Sequence, residues 1–140
     1  MADTLPEDFR LATRHIVMER DLNAAGNLFG GTMLAWLDEA TAISVIERIG
    51  YSDFVTVAMD NVNFKAPGHR GDLITFYSRV VKTGSSSIVA ETRAYVEDHA
   101  TGARREVITC RITYVCLKDQ QPYAYFKSPE YAGWRARQTQ

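Results

Sequence analysis

Two adjacent carboxylates, Asp38-Glu39, interrupt an otherwise apolar run, TMLAWLDEATAISVIER, at residues 32–48. That run contains neither proline nor glycine and reads as a helix. On a helix, Asp38 has Gly31, Leu34, Ala35, Thr41, Ala42 and Val45 as its three-, four- and seven-residue neighbours, none of them cationic. Glu39 points about 100° further round, toward the equally apolar Trp36, Ile43 and Ile46. An unpaired carboxylate withdrawn from water is costly, so each must reach solvent, a partner chain or a site. One of the pair is expected to point out through a gap in whatever covers the helix. A carboxylate so placed can act as a base toward water or as a nucleophile. Directly before the helix stands Gly30-Gly31. Bare backbone at a helix start presents unpaired N–H groups and the positive end of the helix dipole. A carbonyl oxygen becoming an oxyanion suits that place, although glycine there also permits a tight entry into the helix.

Other chemistries lack their residues. His15, His69 and His99 fall on three separate elements, so no Cys/His cluster has zinc spacing. There is no Gly-x-Ser-x-Gly elbow and no Gly-Lys-Ser/Thr phosphate loop. Gly26-Asn27-Leu28-Phe29-Gly30-Gly31 has the wrong spacing for a dinucleotide loop, and no parallel βαβ unit follows it.

The elements that must position these groups follow from periodicity. Residues 13–20 read as a short strand, and 21–31, with three glycines and two asparagines, as a loop. The apolar residues of the helix surround it rather than forming a stripe, so it should be buried on most sides. After Gly50 the period becomes two: 54–65, 72–82, 86–97 and 104–117 read as strands rich in Val, Ile, Thr, Phe and Tyr. Their links are too short for crossover helices, so neighbouring strands run antiparallel. The expected class is α+β, a curved antiparallel sheet of five or six strands wrapped around one long central helix. Residues 1–140 are expected to form one domain, with its core at about 13–117 and an aromatic tail at 118–140 that packs as an arm or short helix.

The chain has 140 residues, 46% of them hydrophobic and 24% charged, with a formal net charge of −1. That balance argues against a general nucleic-acid binder. No run approaches the ~20 apolar residues of a membrane span, and the acidic start MADTLPEDFR lacks a signal core. A cytoplasmic location is the expectation. Cys110 and Cys116 lie six positions apart in one strand, about 20 Å, whereas a disulfide needs Cα atoms within about 7 Å. They read as two buried thiols.

The stretch from Asn23 to Asp38, NAAGNLFGGTMLAWLD, resembles the N-x-x-G-x-x-F-G-G-x-x-L-x-x-x-D signature of hotdog-fold acyl-CoA thioesterases, the YciA-like and brain acyl-CoA hydrolase branch most closely. The likeness continues through Val55–Asp60, Asn63-Phe64-Lys65-Ala66-Pro67, Gly71-Asp72-Leu73 and Lys82–Ser86. The resemblance implies hydrolysis of an acyl-CoA to a free acid and CoA with no metal and no organic cofactor, CoA being part of the substrate. It implies Asp38 as general base or nucleophile, Asn23 as a residue that places water or substrate, and the N–H of Gly30 or Gly31 as holder of the thioester oxygen. Phe29, Lys65, Pro67, Gly84, Ser85 and Ser86 are implied to contact substrate, the last five along the CoA groove. Basic side chains available to the CoA phosphates are Lys65, His69, Arg70, Lys82, Arg93, Arg104 and Arg105, and Thr41 or Glu39 has room for a minor role beside the site.

One distance constrains this picture. Gly30 and Asp38 are about 12 Å apart along a helix, while a carbonyl carbon and its oxygen are separated by only about 1.2 Å. A single helix therefore cannot place both groups on one thioester. Two helices related by a two-fold axis can. The expectation is a homodimer with shared active sites, and by resemblance a trimer of such dimers, with no nucleic-acid or membrane partner. The competing readings are a non-catalytic acyl-CoA-binding sensor on the same fold, which would usually lack the acid and carry a DNA-binding segment, and a hydratase, which would need a histidine motif that is absent here.

Overall fold

In the computed structural model, which describes residues 5–138, the chain enters as an edge strand, β1 (Arg10–Ile16), and turns at Glu19–Asp21 into the loop that leads to helix α1 (Gly30–Ile49). Four long strands follow: β2 (Phe54–Phe64), β3 (Leu73–Thr83), β4 (Ser87–Glu97) and β5 (Arg104–Lys118). A two-residue β6 (Gln121–Pro122), a 3-10 turn at Tyr125–Lys127 and helix α2 (Pro129–Gln138) complete the chain. The sheet order is β1-β3-β4-β5-β2, every pair antiparallel, with β6 added to β5. Register shifts place extra residues in β1, β2, β3 and β5. Each extra residue bends its strand, which suits a sheet that must curl around a helix. This is the α+β arrangement expected from the period change at Gly50, a curved antiparallel sheet around one helix, and it is the hotdog fold that the resemblance implies.

Alternation along β4 and β5 assigns the inner face. Ile88, Ala90, Thr92 and Ala94 are buried, as are Ile108, Cys110, Ile112, Tyr114 and Cys116, and they meet Met33, Leu37, Ala40 and Val45 of α1. Within this core the Thr41 hydroxyl lies 2.7 Å from the Leu37 carbonyl and 2.5 Å from Thr92 Oγ1, and Thr92 Oγ1 lies 3.0 Å from Ser78 Oγ, so that one proton per hydroxyl is shared along the chain. The buried hydroxyls thus satisfy one another.

Three expectations need correction. β1 occupies 10–16 rather than 13–20, because Asp21 Oδ2 accepts the Met18 N–H and folds the following residues into a turn. α1 starts at Gly30 rather than residue 32, so the two glycines form its first turn. The helix, expected to be buried on most sides, is left open along part of its surface by its own chain: Ile46 is 39% exposed and Ala35 lies open. Both cysteines are buried and free, as expected. Among the described residues no helix is long and apolar enough to cross a membrane.

The tail closes the far end of α1. Gly50 caps the helix in the left-handed conformation, φ 65°, with its N–H on the Ile46 carbonyl at 2.8 Å. Trp134 of α2 packs over that cap, and its indole N–H reaches the Glu47 carbonyl at 2.7 Å. A Cβ on Gly50 would stand 2.3 Å from the Trp134 Cβ, a backbone-anchored neighbour with little room to yield. Strain in φ and this clash act together, so Gly50→Ala should lower the unfolding free energy by about 1–3 kcal/mol. Chemical denaturation measures it, and a smaller loss when Trp134→Ala is already present would isolate the contact.

Candidate active site

α1 carries Asp38 into an open pocket of about 320 Å³ formed with β2 and β5, lined by Ala35, Asp38, Glu39, Ala42, Phe54, Thr56 and Tyr114. The small side chains one turn on either side of Asp38 leave this space. The carboxylate is half-buried and takes part in no ion pair among the described residues. Its needs are met by hydroxyls: Thr56 donates to Oδ1 at 3.0 Å, and Tyr114 donates to the same oxygen at 2.9 Å. Burial foremost, then the charge of Asp38, pushes the Tyr114 phenol up, so it remains a donor. Neither Thr56 nor Tyr114 was assigned a role from sequence. The available signal was Tyr114 on the inward face of an apolar strand, where a hydroxyl must find a partner.

Glu39 takes the other direction. Its exposed carboxylate lies 3.5 Å from Nε2 of His15, whose ring stacks on Trp36 at 4.4 Å. Neither acid threads the sheet. Thr41, buried in the core hydroxyl chain, stands behind Tyr114 rather than in the pocket.

The start of α1 is as bare as its sequence suggests. Phe29 occupies the N-cap with no side-chain hydrogen bond, and no acid lies in the first turn. Gly31 has nothing within 4 Å of a would-be Cβ, and Gly30 faces only the Phe64 ring at 3.5 Å. The loop before it is built by Asn23, whose Oδ1 accepts from Ala25 N at 3.0 Å and Asn27 N at 3.1 Å. The Asn23 oxygen is thus engaged in shaping the turn. Phe29 is 49% exposed.

The remaining expected residues divide between two places. Lys65 and Pro67 lie at the glycine end of the helix: Phe64 touches Gly30, Lys65 N donates to the Val107 carbonyl, and Leu28 N donates to the Gly68 carbonyl. Lys65 is ion-paired with Glu106, and Arg105 holds the Pro67 carbonyl at 2.8 Å. Gly84, Ser85 and Ser86 form the β3–β4 turn at the Asp38 end, where Ser86 O accepts from Cys116 N and Phe54 pairs with Cys116. A Cβ on Gly84 would fall 2.5 Å from the Ser87 hydroxyl, which would have to rotate aside. Of the basic candidates, Arg93 and Arg104 are committed to Glu91 and Glu97, and Arg70 pairs with Glu19 at 3.7 Å. Lys82 is exposed beside the β3–β4 turn. The expected residues therefore fall in two separate places, Asp38 and residues 84–86 near Thr56 and Tyr114, and Phe29, Gly30, Gly31, Lys65 and Pro67 at the start of the helix. A larger cavity of about 660 Å³, between the end of α1, β3 and α2, contains none of the expected site residues.

Comparison with known proteins agrees with this fold. Residues 25–103 match the Thioesterase superfamily model. A Zymomonas mobilis protein named as an uncharacterized acyl-CoA thioester hydrolase is 33% identical over 112 residues, 79% of this chain and 74% of its own length. The acyl-CoA thioester hydrolase YciA of Salmonella typhimurium is 30% identical over 118 residues, 82% and 87% of the two chains. The crystal structure of the hexameric thioesterase y2039 from Yersinia pestis superposes with a TM-score of 0.77 at 33% identity, covering 86% of this chain and 97% of that one.

Cys110 lies close enough to Asp38 and Asp60 to sense both charges, but burial is the main reason its thiol is pushed up to about 11. Burial likewise raises Cys116 to about 11. At pH 8 only about one thiol in a thousand would be thiolate. A chromogenic disulfide reagent should therefore leave the native protein unmodified and titrate both cysteines only after denaturation.

Proposed function

This chain belongs to the thioesterase superfamily, and from that premise we propose that it hydrolyses acyl-CoA thioesters, releasing CoA and a free carboxylic acid. The observation that carries the reading is Asp38: a carboxylate on an apolar helix, one oxygen tied by Thr56 and Tyr114, the other without a donor among the described residues and beside an open pocket. Asp38 either takes a proton from water as that water attacks the thioester carbon, or attacks the carbon itself to form an anhydride that water then opens. In both routes the carbonyl oxygen gains negative charge, which bare amides at the start of α1 are suited to receive. The CoA thiolate departs readily, so neither a strong acid, a metal nor an organic cofactor is called for.

The two groups of residues are half-sites that belong together on different chains. β2 is an edge strand, and Val55, Val57, Val62 and Phe64 on it are between 38% and 52% exposed. A long apolar edge of this kind invites a second strand. Thr56 faces Asp38 and Phe64 faces Gly30 on the same side of the sheet. If two copies of β2 pair antiparallel about an axis near Asp60, Thr56 of one chain lies opposite Phe64 of the other. That register brings the Asp38 pocket of one chain to the double glycine of its mate. It also brings Phe29, Lys65 and Pro67 against the other chain's Gly84, Ser85 and Ser86, lining a groove for CoA. The Yersinia pestis neighbour is hexameric, and three such dimers make the larger assembly proposed here.

Asp38→Ala should lower kcat about 10²–10⁴-fold with little change in KM, followed by thiol release from a series of acyl-CoAs. CoA-thioester binding without thiol release by the native protein would favour the sensor instead. Gly30→Pro removes one amide from the first helical position, where Phe29 already has the extended ψ of 135° that proline requires of its predecessor. Each variant alone should be inactive. Co-expressed in equal amounts, they should recover about a quarter of the native activity, since half the dimers are mixed and each has one intact site. No recovery would place each site within one chain.

A further inference from the structure

Tyr114 does more at Asp38 than fill space, and the inference here rests on the hydrolase reading above. Its phenol lies 2.9 Å from Asp38 Oδ1 and 3.1 Å from the Asp38 main-chain carbonyl oxygen. One hydroxyl thus spans the side chain and the backbone of a single residue, which fixes the rotation of the carboxylate relative to α1. The ring cannot drift: it is 1% exposed and packs edge-on against Phe54 at 5.0 Å. Its strand, β5, is paired on both sides, by β4 and β2, so the hydroxyl is delivered from the stiffest part of the sheet. Thr56, from the edge strand, donates to the same Oδ1.

We propose that Tyr114 is a positioning residue for the reaction: by holding Oδ1, it turns Oδ2 toward the pocket as the oxygen that meets water or thioester. The titratable groups that face this carboxylate are Tyr114 and Cys110 from β5 and Glu39 from α1 itself, while β2 contributes Thr56 and, further along, Asp60. Burial keeps Cys110 a neutral thiol, and Glu39 is turned to His15. A donor to the charged form favours that form. Losing it should therefore move the acidic limb of the rate profile to higher pH.

The test is Tyr114→Phe, which keeps the ring and removes only the hydroxyl. A misdirected base should lower kcat about 10–100-fold, with KM within about twofold and the acidic limb shifted upward. An unchanged kcat and an unchanged limb would overturn the inference. If the phenylalanine variant fails to fold, 3-fluorotyrosine at position 114 retains the shape and strengthens the donor. The limb should then move to lower pH, and no movement is equally fatal. A readout independent of turnover separates this inference from the hydrolase reading: the infrared carboxylate band assigned by subtraction of Asp38→Asn should shift in Tyr114→Phe whether or not thioester is cleaved. A shifted band in a protein that cleaves no acyl-CoA would defeat the reading of function and leave the hydrogen bond standing; an unshifted band would defeat the inference alone.

Discussion

A carboxylate set among apolar neighbours on a helix must be given hydrogen-bond donors, and much of this fold is arranged around how that is done. Among the described residues no cation pairs with Asp38; two neutral hydroxyls reach it, one from an edge strand and one from an interior strand. A bidentate arginine would have engaged both oxygens. Hydroxyls on a single oxygen satisfy the group while leaving its other half reactive. The small residues at positions 35 and 42 keep the adjoining space open, and the curl of the sheet brings β2 and β5 close enough to reach it.

The same helix that carries the acid begins with uncapped amides, and rigid geometry keeps these two assets apart. The solution proposed here uses a weakness of the isolated chain. β2 exposes an unpaired edge and apolar side chains that a monomer would ordinarily have to cover. Because Thr56 and Phe64 point to the same side, pairing that edge with its copy covers the strand and joins the two halves of the site at once.

Much of this was legible in the residues. The switch to a period of two after Gly50 located all four long strands within a residue or so, since their inner faces alternate cleanly and their connections are short. Asp38 and Gly30-Gly31 stood out because each violates a local preference, an acid in an apolar helix and two glycines at its start. The error at β1 came from Asp21, whose side chain folds the chain before the strand pattern has run out. Thr56 and Tyr114 were hidden for another reason. Their importance lies in which helix residue they meet, 18 and 76 positions away, and a pattern read along one strand carries no such register. Arg93 is held by Glu91, two residues back on its own strand, whereas Arg104 is held by Glu97 across the sheet, a pairing that a single strand's pattern does not carry.

The 76-residue interval between Asp38 and Tyr114 also has a bearing on biosynthesis. β2 has its hydrogen-bonding partner in β5, the last long strand to be made, so neither the edge strand nor the acid can settle when it first leaves the ribosome. At about 5–20 residues per second, translation leaves the helix waiting several seconds for the strand that completes its surroundings. Nascent chains interrupted before β5 would hold the acid and the glycines yet lack the strand that donates to Asp38 and walls the pocket beside it.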